Sequence, residues 1–161
     1  MAEDTFIAAG AKVIGEVVLE KGSSVWYNVV LRGDLNQVVV GEYSNIQDNS
    51  TVHVDLNNAT KIGRYVTVGH SVVLHGCTIE DYCLIGMGSV IMDGAVIGCG
   101  SVVGAGAVIT KNTIIPPLSL VIGMPAKVIK TLDEDVTASR RKHAEGYYQL
   151  SLEYKKTPES K

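Results

Sequence analysis

The sequence predicts a mainly β fold: a parallel solenoid of six-residue repeats followed by a C-terminal α-helix. Three observations predict it. Aliphatic residues recur at every sixth position, small residues recur four places after them, and both series stop near Gly123-Met124-Pro125. The aliphatic series runs Ile7, Val13, Leu19, Val25, Leu31, resumes at Val40, Ile46, Val52, and resumes again at Ile62, Val68, Leu74. After one five-residue step it continues through Ile79, Ile85, Ile91, Ile97, Val103, Ile109 and Ile115. The small series includes Ser23, Ser44, Ser50, Cys83, Ser89, Ala95, Ser101 and Ala107. A period of six fits neither the helical 3.6 nor a strand alternation of two. It fits short flat strands joined by tight turns, each strand sending one aliphatic residue inward. Stacked coils of this kind bury a continuous aliphatic column and pair their backbones, so no coil is stable alone. A β-sandwich is the competing architecture, but it does not generate so long an in-phase series.

Composition agrees. With 17 Gly but one Phe and one Trp, the interior must be filled by small and β-branched side chains. The 161 residues suit a single domain, divided into a solenoid over 1–125 and a helical segment over 126–161. A net charge of −3 gives no general attraction for nucleic acid or an anionic membrane. There is no long apolar run, and the start Met1-Ala2-Glu3-Asp4 is acidic, unlike a signal peptide. A soluble cytoplasmic protein is therefore expected. Three cysteines at no paired spacing read as reduced thiols, Cys83 in the core and Cys77 and Cys99 free at turns.

Two interruptions break the solenoid. The step from Leu31 to Val40 is long, placing extra residues around Gly33-Asp34-Leu35-Asn36, and that from Val52 to Ile62 extrudes Asp55-Leu56-Asn57-Asn58-Ala59. Loops on a solenoid often mark its functional edge. Past Pro125, Thr131-Leu132-Asp133-Glu134 has capping-box spacing, and Ala144, Tyr147, Leu150, Tyr154 and His143 share one helical face. That stripe should lie along the solenoid, with fraying from Thr157 onward.

The register also places the histidines. His53 follows the inward Val52, His75 follows the inward Leu74, and these lie one coil apart, with backbones about 4.8 Å apart. Arg32, after Leu31, continues the same column. His70 follows Val68 by two and belongs one face away, so if all three histidines share a metal, His70 most simply comes from a neighbouring subunit. Gln47 sits beneath the Gly69-His70 segment. A simple histidine ladder is the alternative to a metal site. Three imidazoles with an open fourth position would make a catalytic zinc centre, with Fe2+ or Co2+ also compatible.

The segments Leu31-Arg32-Gly33-Asp34, Asn45-Ile46-Gln47-Asp48, His53, Gly69-His70, Leu74-His75-Gly76-Cys77 and Ile85-Gly86-Met87-Gly88 closely resemble the γ-class carbonic anhydrase-like family of hexapeptide-repeat proteins. The resemblance implies a left-handed parallel β-helix with three hexads per coil. It implies a homotrimer with one Zn2+ (or Fe2+ or Co2+) per interface, held by His53, His75 and the adjacent subunit's copy of His70. Arg32 and Asp34 match an interfacial pair, and Gln47 matches a residue that orients the metal-bound hydroxide. The implied reaction is reversible hydration of CO2 to bicarbonate. The chain departs from the pattern where active members carry glutamates, with Leu35 after the Arg-x-Asp segment and only Asp55 in the short loop, which implies slow or buffer-dependent proton export. Two other functions stay open: a hexapeptide-type acyltransferase or acyl-CoA thioester hydrolase, and a metal-binding structural homologue with little activity.

Overall fold

Each turn of the chain lays one short strand on each of three faces, as a repeat of three hexads requires. The computed structural model describes residue 2 and residues 4–156. On the first face Phe6–Ile7, Ser24–Val25, Asn45–Ile46, Thr67–Val68, Leu84–Ile85, Val102–Val103 and Ser119–Gly123 stack in parallel. The second face carries the starts of Lys12–Leu19 and Val30–Val40, then Thr51–His53, Val73–His75, Val90–Ile91 and Val108–Ile109. The third carries the ends of the same two long strands, then Thr60–Ile62, Thr78–Ile79, Val96–Ile97 and Ile114–Ile115. The result is a left-handed parallel β-helix with one α-helix, Val136–Lys156, along its side.

The aliphatic series is the core. Leu19, Leu31, Ile46, Val52, Leu74, Ile91 and Ile109 are each at most 1% exposed, and Val121 extends the column beyond the expected series. The first coil is the exception, with Ile7 38% exposed and Val13 half-buried, because its inward side lies toward the open end. Phe6, next to Ile7, is buried instead, packed outside the prism on Trp26 with ring centroids 5.1 Å apart. The small series is often serine for a specific reason. The hydroxyls of Ser44, Ser50 and Ser89 donate to the turn carbonyls of Gly63, Gly69 and Gly86 at 2.6–2.9 Å, satisfying groups buried at the corners.

The corners also need left-handed backbone. Tyr43, Tyr65 and Tyr82 occupy equivalent corners of successive coils with φ of 56–60°, a conformation costing roughly 1–2 kcal/mol for a residue with a Cβ. Stacking offsets that cost: the Tyr43–Tyr65 and Tyr65–Tyr82 rings lie nearly parallel with centroids 5.2 and 5.5 Å apart. The helix completes the ladder, with Tyr148 edge-on to Tyr43 and the Arg141 guanidinium 5.1 Å from the Tyr65 centroid.

Three expectations are corrected. The extra residues around Gly33-Asp34-Leu35-Asn36 do not leave the sheet as a loop. They lie inside the continuous strand Val30–Val40, which turns an edge beside Lys12–Leu19 with a register shift between Gly15 and Val17. The second interruption does form a loop, in which the Asp55 carboxylate accepts the N–H groups of Asn57 and Asn58 at 2.7 Å each. Next, the segment after Pro125 is not helical at once. Ala126–Thr131 returns antiparallel on Ser119–Gly123, giving the last strand of the first face a partner. Thr131 is therefore a strand residue, and the helix begins at Val136, where the N–H donates to the Asp133 carbonyl.

The third correction concerns the helix face. The fully buried positions are Ala144 and Ser151, flanked by half-buried Tyr147 and Tyr148, while His143 and Leu150 are exposed. Small residues let the helix axis approach the sheet closely, so Leu150 is displaced from the contact. The expected fraying from Thr157 lies outside the described residues. Among the described residues no helix is long and apolar enough to cross a membrane.

Candidate functional site

Strands Thr51–His53 and Val73–His75 pair in parallel with His53 opposite His75, as the hexad register requires. The backbone alternation buries Val52 and Leu74 and turns both imidazoles outward. His53 Nδ1 and His75 Nε2 face each other at 3.1 Å. The outer nitrogens are each held by a carboxylate: His53 Nε2 donates to Asp34 Oδ1 at 2.9 Å, and His75 Nδ1 donates to Asp93 Oδ1 in a short contact. Asp34 also accepts from Arg32 in a short ion pair, and Asp93 Oδ2 takes Lys111 Nζ at 2.8 Å. A file of charged and imidazole side chains thus runs Arg32, Asp34, His53, His75, Asp93, Lys111 along one edge.

Electrostatics keep the two carboxylates ionised. The hydrogen bond from His53, with Arg32 beside it, holds the Asp34 carboxyl below its ordinary range. Lys111 first, and His75 second, do the same for Asp93. An ionised carboxylate only accepts hydrogen bonds, so the outer imidazole nitrogens carry the protons. In neutral rings held this way the two inner nitrogens, 3.1 Å apart, both present lone pairs that a cation between them would satisfy. Two imidazole nitrogens bound to one tetrahedral zinc at about 2.0–2.1 Å stand roughly 3.3 Å apart. The donor set and its spacing therefore fit two ligands of a metal centre, with carboxylates behind each ligand as such centres commonly have.

His70 is brought to a different place. It follows Thr67–Val68 on the first face, and its Nδ1 donates to Asp48 Oδ2 at 2.9 Å. Among the described residues of one chain, no group of three or more His, Cys, Asp or Glu side chains is placed to hold a metal ion. Gln47 is on the face of His70: its N–H donates to the Val68 carbonyl, and its side chain, 6% exposed, donates to Asn45 Oδ1 at 3.3 Å. Asn45 in turn donates to Thr67 Oγ1, so the amide is held by a small buried network. Arg32 stands in the His53/His75 column as its register implies, but it is Asp34 that touches the imidazole.

Four residues were given no role in the site from the sequence, although Tyr147 was placed on the docking face of the helix and Asp48 within a segment of the resemblance. Asp48 lies 22 residues before His70, the same separation as His53 and His75, so the repeat contained that signal. Asp93 and Lys111 are harder to find, because the five-residue step sets Met92 rather than Asp93 opposite His75. Tyr147 comes from the helix. It shares a hydrogen bond with Gln47 and packs edge-on against Trp26 with centroids 5.6 Å apart, and desolvation, with the charge of Asp48, raises its hydroxyl pKa.

None of the three cysteines is among the side chains of the file from Arg32 to Lys111. Burial pushes the Cys77 and Cys83 thiols up to about 12, which makes Cys77 a core residue rather than the free turn thiol expected. Cys99 alone is partly exposed. Iodoacetamide at pH 8 should therefore label Cys99 in the native protein and reach Cys77 and Cys83 only on unfolding, as peptide mass mapping would show.

Comparison with known proteins agrees with the fold. Residues 59–92 match the family described as bacterial transferase hexapeptide (six repeats). Among solved structures, a hexapeptide transferase family protein from Anaplasma phagocytophilum superposes with a TM-score of 0.89 at 42% identity, covering 95% of this chain and 90% of that one. The chain belongs to the hexapeptide-repeat β-solenoid superfamily, and within it is related to both γ-carbonic anhydrases and hexapeptide acyltransferases. It is 50% identical to a Methanocaldococcus jannaschii protein named "Probable carbonic anhydrase", over 94% of this chain and 95% of that one. It is 42% identical to a carbonic anhydrase of Geobacillus kaustophilus, over 98% of this chain and 89% of the relative.

Proposed function

We propose that the protein is a cytoplasmic, trimeric, metal-dependent carbonic anhydrase that interconverts CO2 and bicarbonate at its subunit interfaces. The observation that carries this reading is the His53/His75 pair, whose inner nitrogens face each other with a carboxylate behind each ring. His53 and His75 would hold the metal with His70 of the adjacent subunit. Exposed apolar residues, Ile14 and Val73 beside the His53/His75 column and Met87 beside His70, give a second copy something to cover. Zn2+, or Fe2+ or Co2+, would lower the pKa of water to about 7 and so supply hydroxide for attack on CO2 at neutral pH.

The chain's own residues orient and hold. Asp34 and Asp93 fix the imidazoles, and Arg32 anchors Asp34. Gln47, steadied by Asn45 and Tyr147, presents an amide on the face of His70, where it would orient the nucleophile across the interface. Among the described residues, neither Leu35 nor the loop carrying Asp55 offers a free carboxylate to carry the proton away. Leu35 is apolar, and the Asp55 carboxylate is engaged by Asn57 and Asn58, with the Asn57 N–H foremost in holding its pKa low. Stopped-flow CO2 hydration should accordingly rise steeply with imidazole buffer. Leu35→Glu should raise the rate at low buffer on the order of tenfold and leave the high-buffer rate unchanged. Equal rates at all buffer strengths would remove the argument from the missing carboxylate.

A second reading has one observation in its favour. His70 with Asp48 is built like an acid–base dyad, its Nε2 pointing away from the ion pair, as an acyltransferase or acyl-CoA thioester hydrolase requires. The likeness to a hexapeptide transferase family protein supports that class. Chelation separates the two: treatment with dipicolinate should abolish CO2 hydration in the first case. Acyl-CoA turnover that survives chelation and disappears in His70→Ala would establish the second.

A further inference from the structure

We infer that Asp93, gripped by Lys111, is the positioning residue that fixes the tautomer of His75 and aims its Nε2 at His53. Asp93 lies 18 residues beyond His75 and outside the segments that carry the family resemblance. Three features make it a built support rather than a chance neighbour. Its side chain is largely enclosed, 14% exposed, with one oxygen on His75 Nδ1 and the other on Lys111 Nζ at 2.8 Å. Its backbone is pinned, since its carbonyl accepts the N–H of Asn112 at 2.9 Å in the next coil. The residue beside His75 is Gly76, with a φ of +55°, where a Cβ would come within 2.9 Å of Asp93 Oδ1. Glycine there leaves the carboxylate room to reach the ring.

The consequence follows from hydrogen-bond chemistry. An imidazole has two possible neutral tautomers, and the partner of one nitrogen decides which nitrogen keeps a free lone pair. Asp93 accepts at Nδ1, so Nε2 is the atom left for a cation, and Nε2 is the atom 3.1 Å from His53. Lys111 occupies the second oxygen, which prevents the carboxylate from rotating away from the ring. Asp34 does the equivalent for His53 from the opposite end.

The inference deepens the metal-site reading, but its first readout stands without any metal. Metal-free protein carrying 15N-histidine should show His75 protonated at Nδ1 in long-range proton–nitrogen correlation spectra. In Asp93→Ala that preference should be lost, and Co2+ affinity should fall about 10- to 100-fold, while the melting temperature and the assembly size stay near wild type. Lys111→Met keeps the acceptor and should retain the tautomer while weakening Co2+ binding less, which supplies a second variant should Asp93→Ala misfold. A wild-type His75 protonated at Nε2, or an Asp93→Ala protein with unchanged tautomer and Co2+ affinity, overturns the inference. Wild-type protein that binds no Co2+ overturns the metal-site reading alone, and the nitrogen shifts still decide the role of Asp93.

Discussion

His53→Ala and His70→Ala should each lose bound metal and CO2 hydration, yet the two inactive proteins should recover activity when unfolded and refolded as a mixture. Each single loss removes a ligand, and since residues merely behind a ligand are worth 10- to 100-fold, a drop of more than about a hundredfold is expected. Recovery follows from the geometry. His53 and His75 sit on one edge of the prism, and His70 sits beyond Val68 on the first face. A site that takes two ligands from one chain and one from the next is intact wherever a His70→Ala chain supplies the pair and a His53→Ala chain supplies His70. In randomly assorted trimers of a one-to-one mixture that arrangement arises at about a quarter of the interfaces. Metal content and hydration should both return to about that fraction of wild type. Mixed trimers without recovery would mean that the site is completed within one chain, and a fully active His70→Ala protein would mean that His70 has no part in it.

How much of this was legible in the sequence depends on what the hexad can encode. The period of six locates most of the inward aliphatic column, because burial in a solenoid is decided locally and repeats at each coil. The same register puts His53 opposite His75 and His70 on another face, since pairing between coils is an arithmetic consequence of strand spacing. It fails where the chain leaves the period. Val30–Val40 and Lys12–Leu19 stay in the sheet through their extra residues because each offers the other a ladder partner, a cooperative choice that neither stretch shows alone. Ala126–Thr131 becomes a strand for a similar reason, taking up the antiparallel position beside Ser119–Gly123. The groups behind the imidazoles were hidden for a different reason. Asp34 reads as a partner for Arg32 two residues away, and only the bend of its strand brings its other oxygen to His53. Asp93 is off register by one, and Tyr147 arrives from a helix whose docking depends on the small residues Ala144 and Ser151.

Leu74→Ala should cost the protein both stability and its site, whereas Ile97→Ala should cost stability alone. Both side chains are fully buried in the aliphatic column. Removing either leaves a cavity, at about 2–5 kcal/mol each, which for a chain of this size lowers the melting temperature by roughly 4–20 °C. Their surroundings differ. Ile97 lies on the third face in Val96–Ile97, paired with Thr78–Ile79 and Ile114–Ile115, and none of those strands pairs with Thr51–His53 or Val73–His75. Leu74 is the inward anchor of Val73–His75, the strand whose next residue faces His53. When the strand settles into the space left by Leu74, His75 moves with it, and a displacement near 1 Å at a reacting centre can cost about a hundredfold. Metal affinity and hydration should therefore fall sharply in Leu74→Ala and stay close to wild type in Ile97→Ala, measured well below both melting temperatures. Equal losses in the two variants would mean that activity follows global stability. A selective loss in Leu74→Ala would show instead that the column which folds the chain also sets the 3.1 Å spacing between His53 and His75.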